Sequence, residues 1–252
     1  MDQATSRIQA SALQHLYQSD LFSSVVNAIR DELEKRLQTC FGYHLCELSD
    51  FDGEGLSAAS HINHRFKVGR VGGVLAHSHE LPLETESVDV VIAVHSLDTA
   101  TDPHTTLREI QRILTPQGHL FLLGLNPMSL VSVKSGLARL PLTGAYAPNA
   151  QLSAHRLEDW MRLLGMERSE LRQFGHLSLT NRFNRFNQAA LKINEWLEEH
   201  RMPWGQIYMM HAVKHVSALV KPTRLRIRPK LRAIGLRAPA ATSKTRTELP
   251  QE

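Results

Sequence analysis

The segment from Val88 to Leu125 limits the fold more than any other part of the chain. Val88–Val94 is a short apolar run between polar residues, which is typical of a strand buried on both faces of a parallel sheet. His119–Leu125 is a second apolar run of similar length. The sequence between the two runs has helical spacing, so the segment is predicted to be a βαβ unit, the unit from which parallel sheets are built.

The predicted helix of this unit has signals at both ends. Asp102 can cap a helix and Pro103 suits its first turn. Apolar residues then recur at helical spacing on an otherwise polar segment. They are Leu107, Ile110, Ile113 and Leu114. The residues Pro116-Gln117-Gly118 are predicted to end this helix.

Similar signals predict helices and strands on either side of this unit. A helix capped at 19–20 carries an apolar stripe to Leu37, and another is capped by Ser153. The stretch between Gly53 and Phe66 is too cramped for a full crossover helix, so this second βαβ unit is predicted to be truncated. The other predicted strands are 43–48, 66–68, 73–76, 166–174 and 207–213, and the other predicted helices fall within 129–140 and 183–197.

Composition favours one α/β domain with a tail. The chain has 252 residues, of which 42% are hydrophobic, enough for a sizeable core. No apolar run approaches the roughly 18 residues of a transmembrane helix, and the N-terminus lacks an apolar signal core. We therefore expect a cytoplasmic protein, in which Cys40 and Cys46 are reduced thiols.

The positive charge of the chain is concentrated near its C-terminus. Residues 221–252 contain nine basic and two acidic residues, whereas residues 1–220 contain 20 basic and 23 acidic ones. Such a tail suits contact with RNA, an anionic lipid surface or an acidic partner. The alternative is a solvated, unstructured tail without a partner. The sequence leaves both open.

Several short motifs follow one another in a fixed order along the central segment. They are Leu81-Pro82-Leu83, Ser87-Val88-Asp89-Val90-Val91, His95-Ser96-Leu97, Asp102-Pro103, and the residues from Leu107 to Gly118, which read LREIQRILTPQG. In this order they resemble the methyltransferase type 11 group of the class I S-adenosylmethionine-dependent methyltransferases. The beginning at Phe41–Leu45 and the end at Asn126-Pro127 are similar to the YafS-like bacterial branch of that group.

The resemblance implies a Rossmann-like α/β fold. Its sheet would be mostly parallel with an antiparallel last strand, and helices would cover both faces. The implied organisation is an N-terminal lead at 1–18, a methyltransferase-like domain at 19–215 and a basic, flexible tail at 216–252.

The resemblance also implies where S-adenosylmethionine would bind. In the register of the family's glycine loop, Glu47 and Gly53 match, whereas Ser49 and Phe51 replace two glycines. The acidic residue that holds the ribose hydroxyls in the family has no counterpart within 62–69. The implied cofactor-binding residues are Glu47, Ser49, Gly53, His77, Ser78 and His95.

The implied reaction is in-line transfer of a methyl group from a sulfonium to an unidentified acceptor, with positioning and a water-poor pocket as the protein's contributions. His95 is the candidate acid–base residue because it follows a strand at the edge where open α/β sheets bind ligands. The alternative is a histidine satisfied by hydrogen bonds in a loop.

A second functional hypothesis is a non-catalytic protein that keeps the fold and binds a partner, for example through its basic tail. The orientation of the Phe51 ring separates the two hypotheses. A ring that fills the cofactor space favours the binding protein, and a ring packed sideways favours the enzyme.

Two other motifs carry less weight. The histidine pairs at 61 and 64 and at 77 and 79 have spacings that can ligate zinc, but no cysteine or carboxylate pattern completes a site. Asn126-Pro127 is similar to a motif of amino-group methyltransferases, but it follows a different strand. We interpret it as a turn that begins a helix.

Overall fold

The computed structural model describes most of the predicted domain. The described residues are 11, 13, 14, 17, 22–50, 55–129, 152–176, 192–194, 196–200 and 202–215. The predicted cap at 19–20, most of the predicted helix at 129–140 and the basic tail at 216–252 lie outside these ranges. Within them, no helix is both long enough and apolar enough to cross a membrane.

The described strands form one seven-stranded sheet in the order β3-β2-β1-β4-β5-β7-β6. The strands are β1 (His44–Ser49), β2 (His64–Gly69), β3 (Val74–Leu75), β4 (Val88–Val94), β5 (Leu114–Leu125), β6 (Met166–Phe174) and β7 (Ile207–Lys214). The first five strands pair in parallel, and β7 runs antiparallel to both β5 and β6. The predicted fold class is confirmed.

The helices with defined bounds are α1 (Ser23–Leu37), α2 (Pro103–Ile113) and α3 (Ala154–Leu163). Both predicted caps on α2 and α3 form: Asp102 accepts hydrogen bonds from two backbone N–H groups of the first turn, and Ser153 accepts one from Arg156. Among the described residues between β1 and β2, the helical element is a 3-10 turn, Leu56–Ala59. The truncated crossover predicted there is confirmed.

Strand β4 divides the core into two layers because its side chains alternate between the faces of the sheet. Val90, Ile92 and Val94 pack on the side of α1, where Ile29 and Leu33 are fully buried. On the opposite face, side chains of β4 pack against α2 and α3. The strand contributes Val88, Val91 and Ala93, and the helices contribute Leu107, Ile110 and Leu157.

Helix α2 ends earlier than the sequence predicts. Leu114 is extended (φ −66°, ψ 133°) and belongs to β5, so its prediction as a helical residue is wrong. The predicted stop at 116–118 lies within β5, where Gln117 has a φ of +64° and the pairing with β4 shifts. The apolar stripe misled the prediction because Leu114 is buried in either conformation.

A distant lysine closes the end of α2. The Lys214 ammonium, on β7, donates to the carbonyl oxygens of Leu114 (2.7 Å) and Gln111 (3.0 Å) and lies 3.3 Å from Glu86. Its side chain is only 5% exposed. Carbonyls at a helix C-terminus lack partners within the helix, and a cation there also complements the helix dipole.

We expect Lys214→Met to destabilise the protein because it leaves these buried carbonyls without a donor. The expected loss is about 2 kcal/mol in the free energy of unfolding, measured by urea denaturation. The control is Lys35→Met, since the Lys35 side chain is 70% exposed and that change is expected to be nearly neutral. Equal losses in the two variants would contradict the capping role.

The motif from Leu107 to Gly118 has a structural explanation. Glu109 accepts hydrogen bonds from the Arg112 guanidinium (2.9 Å from each carboxylate oxygen) and from the backbone N–H of Leu81 (3.1 Å). Arg112 in turn donates to the carbonyls of Leu81 and Leu83. Together they fasten the segment before β4 to α2, which accounts for the spacing of the acidic and basic residues.

The Arg112 hydrogen bond lowers the pKa of Glu109. A carboxylate with a lowered folded-state pKa stabilises the protein above its unfolded pKa, and this contribution is lost as the pH falls through the folded-state value. We therefore expect Glu109→Gln to cost about 1 kcal/mol at pH 7 and much less at pH 3, in urea titrations at both values. The exposed Glu84 provides a control as Glu84→Gln. A pH-independent cost at position 109 would contradict the charge-based account.

Asn126 fixes the turn after β5. Its side-chain amide donates to the carbonyl of Gly205 (2.8 Å) and to Gln173 (3.1 Å), and its oxygen accepts the N–H of Met128 (3.0 Å). The turn predicted at Asn126-Pro127 is confirmed, whereas the helix that it was predicted to begin falls outside the described residues. The Asn126 side chain ties the end of β5 to the β6–β7 pair.

Candidate functional site

The carboxyl ends of β1 and β4 meet at the point where the strand order of the sheet reverses. From β1 the chain continues outward to β2 and β3, whereas β4 leads to β5 on the other side. Open α/β sheets bind ligands at such a point. Ser49 pairs with Val94, so Asp50 and His95, the next residue of each strand, emerge side by side.

Glu47 organises the turn that follows β1. Its side chain is buried, and it accepts the backbone N–H of Ser57 at 3.1 Å. A methyl group on Gly55 would overlap the same carboxylate oxygen, so a larger residue there would displace the Glu47 side chain. Glu47 therefore holds the 3-10 turn in place from below.

An ion pair joins the ends of β1 and β2. Asp50 accepts the backbone N–H of Arg70 on Oδ1 (3.0 Å) and the Arg70 guanidinium on Oδ2 (Nη2 at 2.7 Å, Nε at 3.0 Å). Beside it, Gly69 lies so close to β1 that an added methyl group would overlap the carbonyl oxygen of the buried Ser49. Sequence reasoning missed this pair, although Asp50 and Arg70 each lie two residues after the end of a predicted strand.

A cavity of about 570 Å³ opens at the ends of β1, β2 and β3. It contains one of the predicted cofactor residues, His77, whose ring stacks on His79 at 5.3 Å. Its lining residues are Ser11, Gln14, Asp50, Gly69, Arg70, Leu75, Ala76 and His77. Ser78, also predicted, instead lies 3.3 Å from the Thr106 hydroxyl on α2. No cluster of described His, Cys, Asp or Glu side chains is suited to hold a metal ion.

His95 is fully buried and engaged on both ring nitrogens. Nδ1 lies 2.7 Å from Oδ2 of Asp98, and Nε2 lies 2.7 Å from the hydroxyl of Tyr17. The same Asp98 oxygen accepts the backbone N–H of Leu125 at 3.1 Å. His95 itself has a φ of +51°, a conformation that few residues other than glycine adopt. This geometry agrees with the alternative in which the His95 ring is satisfied by hydrogen bonds within the protein. The same contacts place the Asp98 carboxylate behind the imidazole, as in an acid–base pair.

Tyr17 and Asp98 were not among the predicted site residues. Burial, followed by the charge of Asp98, holds the pKa of the Tyr17 phenol well above its usual range, so the phenol keeps its proton and can donate it to Nε2 where that nitrogen carries none. The tautomer that accepts at Nε2 carries a proton on Nδ1, which it donates to Asp98. Asp98 lies three residues after His95, a spacing that could have identified it; nothing in the sequence indicates Tyr17.

Two predicted residues of the glycine loop, Gly53 and Phe51, fall outside the described ranges. The assignments of Gly53 to the cofactor and of the Phe51 ring as the feature that separates enzyme from binding protein therefore stay predictions.

Part of this domain is similar in sequence to known proteins. Residues 15–122 match the family described as methyltransferase domain. The predicted family resemblance is confirmed over this segment. The chain is also 32% identical over 145 residues to the uncharacterized protein YafS of Escherichia coli K12; the match spans 55% of this chain and 60% of that protein.

Solved structures show the same fold. One is a chain from the complex between the Haloferax volcanii Trm112 methyltransferase activator and a proposed methyltransferase (TM-score 0.54, 16% identity, 86% of this chain and 100% of that one). Another is a proposed methyltransferase from Bacillus halodurans C-125 (TM-score 0.52, 14% identity, 74% of this chain and 99% of that one). At these identities the likeness concerns the fold.

The cavity suits the adenosine part of S-adenosylmethionine. Its volume lies within the range of small-molecule sites, and Leu75 and Ala76 offer apolar surface for a base. Asp50 presents a carboxylate at the cavity: Oδ1 accepts the Arg70 N–H and, like other carboxylate oxygens, has room for a second donor such as a ribose hydroxyl. The residues present therefore fit the group.

We expect Gly69→Ala to damage this site because the new methyl group meets backbone, which moves less readily than a side chain. The expected loss is about 2 kcal/mol in the free energy of unfolding, together with weaker binding of S-adenosylhomocysteine. Gly73→Ala is the matched control, since its added carbon would lie 4.0 Å from the nearest atom, the carbonyl oxygen of Lys67. A neutral Gly69→Ala variant would show that the junction of β1 and β2 is not tightly packed.

Proposed function

We propose that the protein is an S-adenosylmethionine-dependent methyltransferase that acts on a small acceptor. The observation that carries the proposal is the cavity at the carboxyl ends of β1, β2 and β3, in the part of the chain that matches a methyltransferase domain. The chain matches only 60% of the length of its curated relative, so the proposed activity is inferred from this site and not from that similarity.

The residues of the cavity would divide the work of binding. Leu75 and Ala76 would contact the adenine, Asp50 would accept a ribose hydroxyl, and His77 would lie at the edge of the base. Glu47 and Ser49 would act indirectly, because both are buried and shape the turn after β1. When bound, the cofactor supplies a methyl group on a positively charged sulfur. The protein's part is then to position an acceptor and exclude water.

His95 is proposed as the acid–base group of the reaction. It is held by Asp98 at 2.7 Å and emerges beside Asp50, so the proton-accepting nitrogen and the cavity share one edge of the sheet. A carboxylate behind a histidine fixes the ring and stabilises the imidazolium that forms when Nε2 takes a proton.

Calorimetry with S-adenosylmethionine and S-adenosylhomocysteine tests the proposal directly. We expect dissociation constants on the order of 1–100 μM, as is common for enzyme substrates. Ala76→Trp would fill the cavity and weaken binding at least about tenfold, a loss of about 1.4 kcal/mol. Leu163→Trp is the control, since Leu163 is 84% exposed on α3.

No heat at millimolar ligand would overturn the methyltransferase proposal and favour the non-catalytic binding protein. Binding that survives Ala76→Trp unchanged would place the cofactor elsewhere and overturn the assignment of the cavity.

A further inference from the structure

The phenol of Tyr17 lies in a site that surrounds it with aromatic rings and has a polar partner at the hydroxyl. Its hydroxyl lies 2.7 Å from Nε2 of His95, and the His95 ring meets its ring edge-on at a centroid distance of 5.4 Å. Phe22 packs against the same ring at 5.6 Å. These contacts would serve any aromatic ring that carries a hydroxyl group, because none of them uses the Tyr17 backbone.

The hydroxyl of Tyr17 faces a built acid–base pair. When the phenol donates to Nε2, Nδ1 carries the other ring proton and donates to Asp98, whose Oδ2 also accepts the N–H of Leu125. The phenol, the imidazole and the carboxylate are thus connected in a line from the edge of the sheet into the core. A line of this kind moves a proton away from a hydroxyl that is about to react.

The site lies next to the proposed cofactor cavity. Ser11 and Gln14 line that cavity, and Tyr17 follows at the same three-residue interval among helical residues. Gln14 and Tyr17 are three apart among these helical residues, a spacing that places two side chains on the same side of a helix. His95 and the cavity residue Asp50 each follow directly after a paired position, Val94 of β4 and Ser49 of β1.

Two buried hydroxyls close to this line have no hydrogen-bond partner among the described residues. They belong to Ser96, which follows His95, and to Tyr208, whose pKa is raised by burial and by the charge of Asp98. Buried polar groups are rarely left unpaired in native proteins, so each of these hydroxyls calls for an explanation, of which a catalytic role is one.

We propose that the place held by the Tyr17 ring is the acceptor subsite, and that the acceptor is an aromatic hydroxyl compound whose oxygen takes the position of the Tyr17 hydroxyl. This inference rests on the proposed methyltransferase function and names its substrate class. Tyr17 occupies the subsite in the ligand-free protein and withdraws when the acceptor binds.

The chemistry of this step balances. The acceptor oxygen forms a bond to the methyl carbon, the carbon–sulfur bond of the donor breaks, and its electron pair stays on sulfur, which becomes neutral. The phenolic proton passes to Nε2 of His95. Asp98 stabilises the resulting imidazolium, which later releases the proton to water.

The test uses a Tyr17→Ala variant with phenol and toluene as probes, measured by ligand-observed NMR. Toluene is the more apolar probe, so a site that offers only hydrophobic contact binds toluene more tightly. We expect Tyr17→Ala to bind phenol at least about tenfold more tightly than toluene, because only phenol replaces the lost hydrogen bond. The wild-type protein, with Tyr17 in place, is expected to bind both probes more weakly.

The matched control is the double variant Tyr17→Ala/His95→Leu, which keeps the space but removes the nitrogen. Its preference is expected to reverse in favour of toluene. A preference for toluene in the single variant, or an unchanged preference for phenol in the double variant, would overturn the proposal.

Tyr17→Phe provides a second measurement that does not depend on a large deletion. It keeps the ring and removes only the hydroxyl, so the ¹⁵N resonance of His95 Nε2 is expected to shift while that of Nδ1 stays nearly constant. An unchanged Nε2 resonance would show that the phenol does not donate to His95, and the proposal would fail.

The two proposals fail separately. If the wild-type protein binds S-adenosylmethionine but Tyr17→Ala prefers toluene, the acceptor assignment is wrong and the methyltransferase proposal stands. If phenol binds but S-adenosylmethionine does not, the methyltransferase proposal fails and the acceptor role fails with it. Formation of anisole by Tyr17→Ala from phenol and S-adenosylmethionine, detected by mass spectrometry, would support both.

Discussion

The burial of β4 on both faces is the constraint on which the rest of the structure depends. All but one of its seven residues are buried, with side chains alternating between the α1 layer and the layer of α2 and α3. A strand with two apolar faces needs parallel neighbours and a covering layer on each side. Parallel pairing in turn brings the carboxyl ends of β1, β2, β4 and β5 to one edge, where the backbone no longer pairs and polar side chains emerge. The position of the site is therefore a consequence of how the core is covered.

The features that the sequence predicts correctly are those determined by residues close together in the chain. The cap at Asp102, the apolar stripe of α2 as far as Ile113, the cap at Ser153 and the strand β4 all depend on residues within a few positions of one another, and all are confirmed. What it misses depends on pairs that only the folded chain brings together. Lys214 reaches across from β7 to end α2, and Tyr17 meets His95 over a separation of 78 residues. Periodicity describes one segment at a time, so it does not contain the register that creates these contacts.

In the altered glycine loop, glycine and a carboxylate are found at positions other than those of the family motif. Two customary glycines are replaced by Ser49 and Phe51, yet close approaches at this edge of the sheet still need glycine. They occur at Gly55, against the Glu47 carboxylate, and at Gly69, against the carbonyl of Ser49. The acidic group moves in the same way: Arg70 follows β2, and the carboxylate comes from Asp50, which follows β1. Compared position by position, the glycine motif is degenerate here. In the folded chain, however, a glycine (Gly69) still lies at the junction of β1 and β2, and a carboxylate (Asp50) still lines the cavity.

The contact between Tyr17 and His95 sets a condition on any acceptor. A side chain attached to the same chain competes at an effective concentration that is on the order of millimolar for short flexible connections and higher for rigid ones. An acceptor that offers only a phenol ring would exchange one hydrogen bond to Nε2 for an equivalent one and would gain almost nothing. A ligand shifts a conformational equilibrium only by the difference in its affinity for the two states. The acceptor of the proposed reaction must therefore make contacts beyond its ring, and the bound cofactor in the neighbouring cavity is the surface nearest to provide them. On this argument the acceptor binds after S-adenosylmethionine, and Tyr17 shields the His95–Asp98 pair from water until both are present.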